Sequence, residues 1–70
     1  MSQKASELFA SIGARLAITR NEIGLSQAGM AEALGVAHRA YHSYEKGQRG
    51  LPDETLVALH DRFQVDLMWI

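Results

Sequence analysis

Seventy residues, 47% of them hydrophobic, suit one small globular domain and leave no room for the separate cores of a multidomain enzyme. Charged residues are 21% and cysteine is absent, which excludes the composition of a disordered chain and any disulfide or thiolate-zinc framework, so packing has to carry the stability. The net charge of −1 argues against an evenly basic surface, yet residues 37–49 set Arg39, Lys46 and Arg49 against Glu45 alone, while residues 50–70 set Arg62 against Asp53, Glu54, Asp61 and Asp66.

The hydrophobic spacing predicts five helices and no strand. The first runs from about Ser6, or earlier, to about Asn21, with Phe9, Ile12 and Leu16 on one stripe and Ile23 following; Gly24 ends it. Ser26 is placed to cap a second helix, Gln27 to Leu34, by accepting from an unpaired first-turn amide. Met30, Ala31 and Leu34 make its inner side, and Gly29 within it costs about 1 kcal/mol relative to alanine. Gly35 and Val36 turn into a third helix, about Ala37 to Lys46, closed by Gly47 and facing the core with Tyr41 and Tyr44. The loop from Gln48 to Leu51 leads to Pro52 and Asp53, which open a fourth helix. Its inner stripe is Leu56, Leu59 and Phe63, with Val57 beside them and His60 within the stripe as a packed or interface residue. Asp66 is placed to cap a fifth, single-turn helix from Leu67 to Ile70.

Two short helices joined by a tight turn, the first opening on Gln27 and the second polar on its outer side, form a helix-turn-helix over about residues 27–46. From about Ile12 to Ile70 the chain resembles the phage repressor and Cro-type helix-turn-helix proteins, the xenobiotic response element-like class of DNA-binding transcription regulators. IGARLAITRNEIGLSQAGMAEALGV, AHRAYHSYEKG and, less sharply, FQVDLMWI carry the resemblance. LSQ, the small Ala31, Gly35 in the turn and YEKG together make it specific. It implies that residues 1–70 form a compact, all-α, five-helix domain of the lambda-repressor-like kind. Ala31 has to be small where the third helix crosses the second, Gly35 takes the positive φ of the turn, and Met30, Leu34, Val36, Tyr41 and Tyr44 fill the wedge. Arg20 and Glu45 match a pair that in this family forms a partly buried, structural ion pair between helices one and three. The alternative is two solvated groups, whose pairing contributes about 0 to 1 kcal/mol.

By the same resemblance the third helix is the recognition helix, with Ala37, His38, Arg39, His42 and Ser43 outward. Arg39 suits base readout, since a guanidinium donates two bonds to O6 and N7 of guanine, worth about 1 to 3 kcal/mol of discrimination; a phosphate contact or a solvated arginine is the alternative. His38 and His42 can donate to an acceptor edge or a phosphate, and Ser43 suits a water-mediated contact. Gln27, at the start of its helix, places its amide outward beside unpaired backbone N–H groups, which suits a phosphate oxygen. In the family the loop after the recognition helix also grips the DNA backbone, and here Lys46, Gly47, Gln48 and Arg49 occupy it. Three positions depart from the family: Ala37 replaces a capping serine or threonine, Tyr41 replaces a branched aliphatic, and Gln64 replaces a glycine. The Tyr41 ring calls for rearranged neighbours or a hydroxyl that reaches the surface.

His38 and His42 stand four apart, but Arg39, Ala40 and Tyr41 between them supply no acidic residue, so no metal is expected. No glycine-rich phosphate motif occurs and no paired carboxylates converge on a nucleophile; neither catalysis nor a cofactor is expected. No apolar run approaches the roughly 18 residues of a membrane span, and MSQKASELFA lacks the apolar stretch of a secretory signal. A soluble cytoplasmic protein, bacterial or phage-encoded and without a membrane partner, is the expectation. The apolar end, Val65, Leu67, Met68, Trp69 and Ile70, is expected to divide between core and homodimer contact, since this fold in the family often pairs through its last helices. The expected function is repressor-like binding of a pseudo-palindromic double-stranded DNA operator, with two recognition helices about 34 Å apart. The alternative is a protein-interaction module, such as an antitoxin-like partner, that uses the acidic tail. Steep loss of DNA affinity with salt and a symmetric footprint favour the first.

Overall fold

Helices α1 (Ser2–Ile23), α2 (Gln27–Leu34), α3 (His38–Glu45) and α4 (Asp53–Phe63) make up the computed structural model, which describes residues 2–70 and their side chains from Glu7 onward. No strand occurs among the described residues. α1 continues two residues beyond Asn21. Of its predicted stripe only Leu16 is wholly buried; Phe9 and Ile12 are half-buried, and Ile23 is exposed. Gly13 and Thr19 complete the inner side instead.

Each end of α2 is closed by a residue suited to it. Ser26 Oγ accepts from the Gly29 amide at 3.0 Å, which satisfies one of the orphan donors of the first turn. Gly35 stands at φ 72°, where a side chain would be strained, and its N–H returns to the carbonyls of Ala31 and Glu32. α3 begins at His38 with Ala37 as its cap, which makes no side-chain cap bond to the first turn. It ends at Glu45, one residue before the predicted Lys46, and the amides of Lys46, Gly47 and Gln48 fold back onto its last carbonyls. Asp53 and Glu54 open α4 and His60 and Arg62 close it, the arrangement that complements the helix dipole.

Leu16, Met30, Ala31, Leu34, Tyr41, Tyr44, Leu59 and Val65 form the core, with Leu25, Val36, Ala40, Leu51, Ala58, Phe63 and Ile70 packed around it. The inner side of α4 is Thr55 and Leu59, one full turn apart, so Leu56 is only half-buried and Val57 is exposed. His60 is exposed as well, one residue past Leu59 and so about 100° round the helix from the core, which corrects its placement in the stripe.

The predicted fifth helix is absent, leaving four among the described residues. The chain leaves α4 through Gln64 at φ 59°, with the Gln64 and Val65 amides bonded back to the His60 and Leu59 carbonyls, and then makes one turn in which the amides of Trp69 and Ile70 both reach the Asp66 carbonyl. Four residues yield too few bonds to offset helix nucleation. Asp66 still caps that turn, its Oδ1 accepting from the Met68 amide at 3.0 Å. Arg15 ties it to α1, donating to the Trp69 carbonyl at 2.5 Å with its guanidinium 5.6 Å from the centre of the Trp69 ring. Val65 is buried and Ile70 packs on the core, whereas Leu67, Met68 and Trp69 are exposed, Met68 at 93%.

A left-handed conformation strains any residue with a Cβ by about 1 to 2 kcal/mol. Gln64→Gly is therefore expected to raise the urea midpoint by an amount equivalent to about 1 kcal/mol, after the entropy that glycine adds to the unfolded chain. An unchanged or lowered midpoint would mean that Gln64 makes compensating contacts.

Candidate nucleic-acid interface

Tyr41 and Tyr44 turn one side of α3 into the core, so His38, Arg39 and His42 face solvent and are exposed. Gln27, half-buried at the start of α2, joins these three in lining one shallow surface concavity. Ala37 is exposed at the cap. Ser43 is half-buried at the flank, its hydroxyl turned back to donate to the Arg39 carbonyl at 3.2 Å. At the far end of α3, Lys46, Gln48 and Arg49 are exposed around the half-buried Gly47. Three basic side chains thus follow α3 and its exit, while exposed Asp53, Glu54 and Asp61 belong to α4.

Behind this surface the Glu45 carboxylate gathers three partners. Arg20 Nε donates to Oε2 at 2.7 Å and Nη2 to Oε1 at 3.4 Å. Gln27 Nε2 donates to Oε1 at 2.9 Å. The Tyr41 hydroxyl donates to Oε2. Arg20 also donates from Nη1 to the Leu25 carbonyl at 2.9 Å, so one side chain joins α1, the entry to α2 and α3. The paired side chains are 15% and 7% exposed, and they sit between helices rather than in open solvent. The Tyr41 ring is wholly buried and its hydroxyl ends on Glu45 instead of reaching the surface. Among the described residues no buried side-chain polar atom lacks a partner.

This packing shifts the ionisations in opposite directions. Burial pushes the Glu45 carboxyl up, but the bonds from Arg20, Tyr41 and Gln27 together outweigh it and hold it below the ordinary 4.5. Burial, then the bond to Glu45, raises the Tyr41 phenol well above its ordinary 10.0. The bond to Glu45 raises the Arg20 guanidinium. The Glu45 contribution to stability is therefore present above pH 4.5 and lost as pH falls through the lower folded value. The Tyr41 contribution is present below pH 10 and lost as pH rises from there. Urea midpoints measured against pH are expected to fall at both ends, with a shallower acid limb in Glu45→Gln; an acid limb unchanged in that variant would contradict the assignment.

The Gln27 amide is turned toward α3 and not outward as its sequence position suggested: Nε2 meets Glu45, and Oε1 lies 3.2 Å from His42 Nδ1. A glutamine at a helix start gives no sign of this, because both partners are more than a dozen residues away. Gly13 was also missed. A Cβ there would lie 2.6 Å from the Glu45 carbonyl oxygen and closer still to that of Tyr44, so the bare glycine lets α1 approach the end of α3.

The helix-turn-helix family model matches residues 16–70, well over half of the chain. The chain belongs to the helix-turn-helix family. Within this helix-turn-helix protein, α2, residues 35–37 and α3 form the motif itself, and the match begins four residues after Ile12, where the sequence resemblance starts. Membership points to a DNA-binding transcription regulator. No match is found among curated proteins or among solved structures. No helix among the described residues is long and apolar enough to cross a membrane.

Proposed function

We propose that this helix-turn-helix protein binds double-stranded DNA sequence-specifically as a homodimer, laying α3 in the major groove of each half of a pseudo-palindromic operator, and that it represses transcription by occupying that site. The observation that carries the reading is the outer side of α3, where His38, Arg39 and His42 stand exposed on a helix fixed from behind by two buried tyrosines. Arg39 reads guanine, His38 and His42 contact neighbouring base edges, and Ser43, with its hydroxyl on the Arg39 carbonyl, contributes through water. Lys46, Gly47, Gln48 and Arg49 hold the phosphates beside the exit of α3. Gln27 adds another phosphate contact, since its amide nitrogen carries two hydrogens and Glu45 takes one. Exposed Leu67, Met68 and Trp69 supply the dimer seam.

Affinity for an operator selected from random duplexes is expected to fall steeply with added salt and to give a two-fold symmetric footprint. Weak binding with no site preference would refute the reading. Arg39→Ala is expected to weaken operator binding by about 1 to 3 kcal/mol and to relax base preference at one position per half-site. Arg49→Ala is expected to weaken all sequences alike and to reduce the salt slope by about 1. Equal losses on operator and random DNA in Arg39→Ala would demote that residue to a phosphate contact. Sedimentation at micromolar concentration tests the dimer, and a monomer bound to one half-site would contradict it.

A further inference from the structure

We propose that Gln27 locks His42 in a single tautomer, so that neutral His42 presents Nε2 as an acceptor and selects an exocyclic amine, N4 of cytosine or N6 of adenine, on the major-groove edge. The proposal deepens the reading of α3 as the recognition helix and rests on it for its DNA half. It reverses the role expected of His42 from sequence, which was to donate.

The Glu45 carboxylate, paired with Arg20, can only accept hydrogen bonds. Of the two ends of the Gln27 amide only Nε2 can therefore face it, as it does at 2.9 Å. That orientation leaves Oε1, which has no hydrogen to give, 3.2 Å from His42 Nδ1. Nδ1 must then carry the hydrogen. A neutral imidazole has one N–H, so Nε2, on the opposite edge of an exposed ring, keeps its lone pair. Turning the amide over would set a carbonyl against the carboxylate and lose the bond to Glu45. Arg39, on the same exposed side of α3, can only donate, so the two side chains would read complementary features: Arg39 the acceptors of guanine, His42 the amine of cytosine or adenine. Gln27 is thus a positioning residue for base choice, acting through His42.

Long-range proton–nitrogen spectra of the 15N-labelled chain, recorded at about pH 8, test the lock without DNA. His42 is expected to show a protonated Nδ1 and a bare Nε2; a bare Nδ1 in the unmodified chain overturns the proposal and needs no variant. Gln27→Met keeps the side-chain length, loses both bonds, and is expected to release His42 into the Nε2–H form. For the DNA half, the position that His42 faces is the one whose preference disappears in His42→Ala. Site selection from random duplexes is expected to favour cytosine or adenine there by about fivefold, the yield of one hydrogen bond. In Gln27→Met overall affinity is expected to fall on all sequences with the loss of the phosphate contact, and that preference is expected to drop below about twofold while base preferences at the other positions stay as they were. Enrichment of guanine or thymine at that position overturns the proposal. If Nδ1–H is observed but no site is selected, the DNA half falls together with the reading of α3 on which it rests, and the lock itself stands.

Discussion

Gly13→Ala is expected to lower the melting temperature by on the order of 10 °C. Helix propensity alone points the other way, since alanine is favoured over glycine inside a helix by about 1 kcal/mol. The deciding feature is what the new methyl group meets: the carbonyl oxygens of Tyr44 and Glu45. These are backbone atoms, and they cannot swing aside as a side chain can. α1 and α3 have to separate, at an overpacking cost of about 3 kcal/mol that leaves a net loss of about 2 kcal/mol. A chain of this size holds about 4 to 10 kcal/mol in all, so the loss is a large fraction. The displacement also moves the end of α3, and operator affinity is expected to fall with stability. A melting temperature equal to or above that of the unmodified chain would show that the helices do not meet at Gly13.

Glu45→Ala is expected to destabilise the fold by about 3 kcal/mol. Deleting the carboxylate leaves Arg20 charged and mostly covered, and it strips the Tyr41 hydroxyl and the Gln27 amide of their acceptor at the same time. The 15% exposure of Arg20 lets some water reach the guanidinium, which keeps the loss toward the lower end of the range for a broken buried pair. Replacing both members with apolar residues, Arg20→Met with Glu45→Leu, is expected to cost less than Glu45→Ala alone, because no charge is then stranded. Urea denaturation of the two variants measures the difference. A double variant that loses as much as Glu45→Ala or more would mean that the loss does not come from a stranded charge on Arg20.

Much of this arrangement was legible in the chain because it depends on near neighbours. Ser26 caps the amide three residues on, Gly35 takes the left-handed turn, and Tyr41 and Tyr44 face inward because they stand three apart on one helix. What escaped depends on distant segments. Gly13 reads as a defect in a helix until the end of α3 is seen lying on it. Thr19 and Thr55 are buried although their hydroxyls suggest surface positions. The tail misled for a different reason: four apolar residues after a capping aspartate have the pattern of a helix but not the length to sustain one. On the outer side of α3 the family resemblance implied that Ala37, His38, Arg39, His42 and Ser43 face outward, and all but the half-buried Ser43 are exposed, whereas the turn of Gln27 toward Glu45 and His42 follows only from the packing of α2 on α3.

The most direct measurement is methylation protection of guanine N7 on duplexes selected by the protein from random sequence. If α3 presents Arg39 to the bases, protected guanines will appear in the major groove of two half-sites about 34 Å apart, and Arg39→Ala will expose them again. Selected DNA with every major-groove N7 still open to methylation, or protection that survives Arg39→Ala, would contradict the account.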